Sequence, residues 1–415
     1  MVTRSCRGIS RSGFTPVRVL HVYKAYLPEN FTGVPRVIWE ISECLASKGV
    51  KSDVLCLARA PSRHPVKTGS HFTHQVRQML EIASTGLSFS VLGKFSSLLR
   101  SADVVHYHFP WPLADLMHVA IRPEIPSLVT YHSDVVNQRY LLHLYRPLMH
   151  RFLRSVDHVV ATSPQYVSTS SVLQAYAEKT SVIPIGLRER EEPPFSLVTK
   201  WRELVGKDFF LFVGAPRYYK GVPFLLDAAS ASGLPVVLIG DGELPWKFRR
   251  SIPGNVKVIG RVSDADREAL LSLCRAFVLP SHLRSEAFGV ALLEAARASR
   301  AMISCEIGTG TSYVNVNGET GLIVAPRDAD GLAKAMSSLA CDPDLAARLG
   351  RQARIRFESL FRAEKMGEAY LKIYRMLRGR RVSQAGGRQF SGGSEVFSLR
   401  DHAARASAGD VDSAA

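Results

Sequence analysis

From Val17 onward the chain alternates short apolar runs with amphipathic ones. VRVLHVY has the apolar density of a buried strand, and a helical pattern follows through Val37, Ile38, Ile41 and Leu45, ending at Lys48 and Gly49. DVLCL is the next strand, so the chain opens on a βαβ unit, the building block of a parallel sheet. Strands are predicted further on at Asp103 to His108, Ser127 to His132, His158 to Thr162 and Ser181 to Pro184. They complete one parallel sheet. A second series opens at Phe209 (FFLFVG) and continues through Pro235 to Gly240, Val256 to Gly260, Ala276 to Leu279, Ala301 to Cys305 and Gly321 to Val324. That series predicts a second parallel sheet, and the protein is of the α/β class.

Between the two series, Gly186 to Lys207 carries the charge run REREE and then Pro193-Pro194, with too little apolar periodicity for a core element. It is expected to be the interdomain linker. The segment from Arg381 onward is rich in Ser, Gly and Ala and cannot bury enough apolar surface to offset ordering entropy. It is expected to be a disordered tail, and residues 1–16 a disordered extension.

Composition narrows the class. A chain of 415 residues with 46% apolar content has room for roughly two to three domains with real cores. The six cysteines are scattered with no CxxC pair, so neither a zinc site nor a disulfide framework is indicated. No apolar run approaches the roughly 18 to 20 residues that span a bilayer, and the opening MVTRSCRGISRSGFTP lacks an apolar signal core. A cytoplasmic protein is the expectation. The net charge of +16 is uneven: residues 1–207 hold 25 Lys+Arg against 15 Asp+Glu, the remainder 28 against 22. Nucleic acid, an anionic membrane and an anionic small substrate each suit that balance, and charge alone does not choose.

Candidate chemistry concentrates at strand ends. In SHLRSEAFGVALLE, Glu286 falls in the loop after a predicted strand, and Glu294 about two turns into the helix that follows. A carboxylate accepts two hydrogen bonds at once, which suits the vicinal hydroxyls of a sugar; ordinary surface glutamates are the plain alternative. The loop Val213 to Gly221 places Arg217 and Lys220 just ahead of a helix, where the helix dipole also favours an anion such as a diphosphate. The turn Gly308-Thr309-Gly310-Thr311-Ser312 offers amides and hydroxyls to a phosphate. Gly240-Asp241-Gly242 is a weaker signal of the same kind, and Gly33 lets the first domain's backbone come close to a ligand.

His106 and His108 share one face of a strand, with His108 nearer the crevice, and His132 ends the next strand. No third ligand appears at a useful spacing, so no metal site is expected, and His108 is expected to bond a sugar hydroxyl. The triplets Asp264-Ala265-Asp266 and Asp328-Ala329-Asp330 stand at helix starts, where N-capping explains them. From Arg139 to Val156, Arg139, His143, Arg146, His150 and Arg154 recur at helical spacing opposite Leu141, Leu144, Leu148 and Phe152, with Pro147 expected to split the segment. That basic face suits anionic lipid; a core helix with a solvated face is the alternative.

In this order VGAPRYYKG, LIGDG, GRV, LPSHLRSEAFGVALLEA and GLIVAP give the chain its resemblance to the retaining glycosyltransferases of family 4, over about residues 17–378. HVYKAY, VTYHSDVV and SCEIGTGTS make it similar to bacterial O-antigen enzymes that use GDP-mannose or GDP-D-rhamnose. The resemblance implies a GT-B fold, two facing Rossmann-like domains with an interdomain cleft. It divides the chain into an acceptor domain (17–186), the linker (187–207), a donor-nucleotide domain (208–360), a helix packing back on the first domain (361–380) and the tail (381–415).

By the same resemblance Glu294 binds the ribose, and Glu286 with the backbone of Ala287, Phe288 and Gly289 meets the donor hexose and phosphates. Arg217 and Lys220 hold the diphosphate, His108 approaches the transferred sugar, and Gly33 matches the glycine loop of the first domain. The base is read near Gly260 to Val262, with Arg261. The turn at Gly308, Thr309 and Gly310 completes the donor site. Two positions depart from the pattern: Thr32 precedes a single glycine at Gly33, and Ala215 stands where a basic residue is often found.

The implied activity is retaining transfer of a hexose, mannose first and D-rhamnose as the alternative, from a GDP-sugar to a lipid-linked glycan, without a metal or other cofactor. Peripheral contact with the inner face of the cell membrane goes with it. A sugar-nucleotide epimerase of the same architecture and a nucleic-acid-binding module are the rival classes, and the motif order fits neither.

Overall fold

The computed structural model describes residues 16–82, 85–135, 139–242 and 252–385. Ten strands belong to the first half: β1 Val17–Ala25, β2 Val50–Ala58, β3 Val66–Thr68, β4 His71–Arg77, β5 Leu80–Ile82, β6 Thr85–Leu87, β7 Val104–Phe109, β8 Ser127–Tyr131, β9 His158–Ala161 and β10 Thr180–Val182. Eight of them form one sheet in the order β10-β9-β8-β7-β1-β2-β4-β3, parallel but for the antiparallel edge strand β3. The ribbon β5–β6 stands apart. The second half supplies β11 Phe210–Val213, β12 Val236–Ile239, β13 Val256–Gly260, β14 Ala276–Leu279, β15 Ala301–Cys305 and β16 Gly321–Val324, all parallel, in the order β13-β12-β11-β14-β15-β16.

Each sheet reverses its direction of growth once. In the first, the chain leaves β1 for β2 on one side and later returns on the other as β7; in the second the same happens between β11 and β14. Loops leaving the carboxyl ends of strands on either side of such a reversal splay apart and open a crevice. In the second sheet those loops are 214–221 and 280–289, which carry Lys220 and Glu286. In the first they carry Gly33 and the segment just after His108.

The central strands β7, β8, β9, β11, β12, β14 and β15 are buried on both faces almost throughout, as a parallel sheet covered by helices requires. The helix Ala363–Ala385 crosses back from the second half to pack on helix Val34–Ala46 and β7. There Tyr374 Oη lies 2.8 Å from His106 Nδ1, and Tyr370 Oη 2.8 Å from Thr130 Oγ1.

The segment read as a featureless linker is more structured than its sequence suggested. A helix, Phe195–Val205, buries Trp201 and Val205 against the second core, so two apolar side chains one turn apart were enough to anchor it. Three residues of the charge run ahead of it, Arg188, Glu189 and Arg190, form ion pairs. Arg188 Nε donates to Glu40 at 3.1 Å and its guanidinium lies over Trp39, Glu189 takes Arg354 through both oxygens at 3.0 and 2.8 Å, and Arg190 pairs with Asp264.

The segment 139–155 is one helix with Pro147 inside it, not two. Its buried face is Met149, Phe152 and Leu153, while Leu144, expected on the apolar side, is 81% exposed beside exposed His143, Arg146 and Pro147. The side chains of Arg139 and Leu141 lie outside the described residues, as do residues 1–15 and 386–415. Among the described residues no helix is long and apolar enough to cross a membrane.

Candidate active site in the interdomain cleft

Lys220 closes the loop after β11 as the last residue of a single 3-10 turn. Gly221 follows at φ 71°, and a Cβ there would collide with the Pro280 carbonyl, so only glycine brings the two loops this close. That approach sets the Lys220 ammonium directly on the Glu286 carboxylate. Burial by itself would lower the lysine's pKa, but the carboxylate beside it raises it above its ordinary value. Ser281 Oγ donates to the same carboxylate oxygen at 3.2 Å. Arg217 is exposed at the mouth of this loop. Across the cleft Lys24 ends β1; burial lowers its pKa, with Glu81 opposing the shift and the charge of Arg217 adding to it. Lys220 is therefore the cation set on the Glu286 carboxylate, with Arg217 on the same loop and Lys24 close enough to Arg217 to feel its charge.

Gly289, at φ 82°, caps helix Val290–Arg297, and Glu294 lies on that helix, 5% exposed. Its Oε1 accepts from Arg36 Nη1 at 2.8 Å and lies 3.3 Å from Arg267 Nη2. Arg36 belongs to the first domain, three residues after Gly33, which at φ 64° caps helix Val34–Ala46. A second link spans the cleft: Arg284 donates to Asp134 at 3.1 Å, to Thr169 at 2.9 Å and to the Gly308 carbonyl at 2.6 Å.

Several expected roles change in the structure. In the turn 308–312 three donors are engaged within the protein: the Gly308 amide donates to Glu306 at 2.8 Å, the Gly310 amide to the Ala287 carbonyl at 2.8 Å, and Thr309 Oγ1 to the Glu286 carbonyl at 2.8 Å. The turn is a brace for the Glu286 loop. Phe288 is buried in the core, so its side chain anchors the loop from beneath. Arg261, at the end of β13, is exposed and pairs with exposed Asp241 at 3.5 Å. Asp328 does cap its helix, accepting from the Gly331 amide at 2.8 Å, but Ser263 rather than Asp264 caps the other. Asp264 pairs with Arg190 and Arg267 instead.

The histidines form a buried network in which His21 Nε2 is left without a hydrogen-bond partner. His108, 1% exposed, has its Nε2 3.1 Å from His21 Nδ1 and its Nδ1 2.9 Å from His132 Nε2. His106 is bonded to Tyr374 and, at 2.7 Å, to Thr130. The third ligand judged missing from the sequence arrives from the neighbouring strand. β1 pairs with β7 in a register that sets His21 opposite His106, and one ring nitrogen from each of His21, His106 and His108 falls within 4.8 Å of the others. Burial holds these rings neutral: His21 and His132 are lowered to about 3, His106 and His108 well below their usual value. A cavity of about 460 Å³ lies at the other end of the first sheet, beside Ser127 and Arg380, and shares no residue with the cleft.

A two-sheet molecule with paired acids and a lysine at the second sheet's reversal point has counterparts among known proteins. Residues 31–189 match the model of Glycosyltransferase Family 4, and residues 198–356 that of Glycosyl transferases group 1. The chain is 45% identical to O-antigen chain mannosyltransferase C of Escherichia coli over 366 residues, 87% of this chain and 99% of that one. It is 49% identical to D-rhamnosyltransferase WbpZ of Pseudomonas aeruginosa over 353 residues, 84% and 93% of the two chains. Among solved structures, sucrose-phosphate synthase from Thermosynechococcus elongatus superposes with a TM-score of 0.74 at 20% identity, covering 88% of this chain and all of that one. The chain belongs to the family 4 glycosyltransferases and has their GT-B fold. It is therefore an enzyme that transfers a glycosyl group.

Arg36, Arg284 and Lys24 were not singled out from the sequence. For Arg36 a signal was present: Arg36 and Glu40 interrupt the apolar face of a helix whose Val37 and Ile41 point inward, and a charged pair four residues apart on a buried face implies partners from elsewhere.

Proposed function

We propose that the enzyme moves a hexose from a GDP-sugar to a hydroxyl of a lipid-linked glycan, with retention at the anomeric carbon, in O-antigen or related polysaccharide assembly. The observation that carries this reading is the Lys220–Glu286 ion pair at the reversal point of the second sheet, with exposed Arg217 on the same loop as Lys220, joined to relatives named for mannosyl and D-rhamnosyl transfer. Mannose is the first choice of donor sugar and D-rhamnose the second; the two differ only at C6. The choice of GDP rests on the family resemblance.

In the reaction the bond from C1 to the departing phosphate oxygen breaks and a bond from C1 to the acceptor oxygen forms on the same face. The acceptor's proton passes to the leaving phosphate. Negative charge grows on the diphosphate as the bond breaks, and cations fixed in a partly desolvated cleft stabilise it without reorganising. Lys220 and Arg217 fill that role in place of a divalent ion, consistent with the Asp-x-Asp triplets serving as a helix cap and as ion-pair partners. Glu286 accepts from hydroxyls of the sugar and Glu294 from those of the ribose. His108, walled in by His21 and His132, reaches the sugar once its bond to one of them is exchanged.

The test is incubation of the purified enzyme with GDP-mannose, GDP-D-rhamnose and UDP-sugars, with and without a lipid-linked acceptor. Glycosylated acceptor from a GDP-sugar, with retained configuration by NMR, is the expected outcome. A changed sugar nucleotide in the absence of acceptor would point to an epimerase, and turnover of UDP-sugars alone would overturn the donor assignment.

A further inference from the structure

His106 and His108 stand two positions apart on β7, so both rings project from one face of the strand. β1 runs alongside in parallel register with His21 opposite His106. Two imidazoles from one strand and a third from its neighbour make a cradle of three nitrogens, and one ring nitrogen of each lies within 4.8 Å of the other two. A tetrahedral ion about 2.0 to 2.1 Å from each nitrogen sets those nitrogens roughly 3.4 Å apart. His21 Nδ1 and His108 Nε2 already stand at 3.1 Å.

The hydrogen bonds around the cradle point the same way. A neutral imidazole carries one N–H and one lone pair. His21 is fully buried, spends Nδ1 on His108 and has no partner at Nε2, which is costly for a buried polar atom. A metal takes from it only a contact with a fellow ligand. On His108 the nitrogen turned to His21 is Nε2, so Nδ1 keeps its 2.9 Å bond to His132. His106 is bonded at both nitrogens, to Tyr374 and to Thr130, and one of these partners remains when the other is released. Such outer bonds fix the orientation of ligating rings.

We propose that His21, His106 and His108 form a binding site for a divalent metal ion of the zinc type, with the fourth position left to water or an anion. The donor set selects the ion: three imidazoles without carboxylate or thiolate suit zinc or cobalt, and not magnesium or calcium. The site lies in the first domain's sheet, apart from Lys220 and Arg217. Loading it commits His108 Nε2 to the metal, so bound zinc and a sugar contact by His108 exclude each other. That consequence rests on the role proposed for His108; the site itself does not.

The test is cobalt loading of the chelator-treated full chain, both in the folded state and, because the rings are buried, by refolding with the metal present. A tetrahedral cobalt absorption band by either route, at about one ion per chain and displaced by zinc, is expected. His21→Gln is expected to abolish the band. His132→Phe, which removes the partner of His108 Nδ1 but no ligand, is expected to weaken cobalt binding by about 10- to 100-fold.

No band in the wild type by either route, or a band that survives His21→Gln, overturns the site. Should His21→Gln not fold, anomalous diffraction from crystals of the zinc-loaded wild type decides: a peak among the three rings is expected, and a peak elsewhere or none overturns the proposal. Zinc is also expected to inhibit glycosyl transfer. Metal bound at the three rings with transfer undiminished removes His108 from the sugar and leaves the metal site standing, so the two failures are distinguishable.

Discussion

At the scale of single residues, the site turns on how closely Lys220 and Glu286 are held. Their proximity follows from Gly221, which lets one loop pass against the Pro280 carbonyl of the other. Lys220 sits at a fixed distance before a helix, and that spacing was legible; its contact with Glu286, 66 residues away, was not. Because Glu286 raises the lysine's pKa, the ammonium is charged at any physiological pH. Lys220→Ala is expected to lower kcat by about 10² to 10³, with Glu286→Ala falling comparably, while circular dichroism shows both variants folded. Near wild-type turnover in either would remove that residue from the site. His108 shows the limit of the same reasoning: alternation along β7 placed it near the crevice, but the strand pattern carried no sign that His21 and His132 would enclose it.

At the scale of elements, periodicity located the central strands of both sheets but not β3 to β6: β3, β5 and β6 are three residues each, too brief to show a period, and seven-residue β4 buries polar His71, Thr73 and His74 where an apolar pattern would have marked it. Helix Phe195–Val205 was overlooked because charge and proline dominated its neighbourhood, although Trp201 and Val205 suffice to dock it. The helix Arg139–Ser155 was found, but its faces were assigned differently. Exposed Leu144 with Arg146 and Arg151 now presents an apolar tip between cations, a combination suited to an anionic bilayer surface. Vesicles containing phosphatidylglycerol are expected to sediment the enzyme at low salt. Leu144→Glu with Arg146→Glu is expected to weaken that binding by about tenfold or more, since each surface cation contributes about 1 kcal/mol. No sedimentation of the wild type with such vesicles would end the membrane reading.

For the whole molecule, stability and pH are linked through the buried histidines. His21 and His132 are lowered to about 3, His118 and His158 to about 4, and His106 and His108 fall well below 6.5, in each case chiefly through burial. The unfolded chain thus binds more protons than the folded one once the pH drops under about 6.5. Stability from these groups is complete above that pH and is lost as pH falls toward 4, by up to about 1.4 kcal/mol per pH unit for each ring. Asp115, Glu40 and Glu268, raised by burial, work the other way but are fewer. Tm is expected to decline steadily from pH 7 to 4.5; a Tm that holds constant or rises over that range would contradict the buried network.

The sequence alone determined that two parallel sheets would form, because apolar periodicity is a local property written into each segment. It also placed Lys220 and Glu286 in the loops after strands and Glu294 on the helix that follows, where turn and capping residues are equally local. What only the tertiary structure decided is which strand ends meet. The order of strands puts β11 beside β14 and β1 beside β7, and that order depends on the packing of entire helices. The bridge from Arg36 to Glu294, the histidine network joined by Tyr374, and the linker bound by ion pairs all join residues more than 80 positions apart in at least one of their contacts. Buried charges and rings must find their partners wherever the fold brings them, and no local pattern records where that will be.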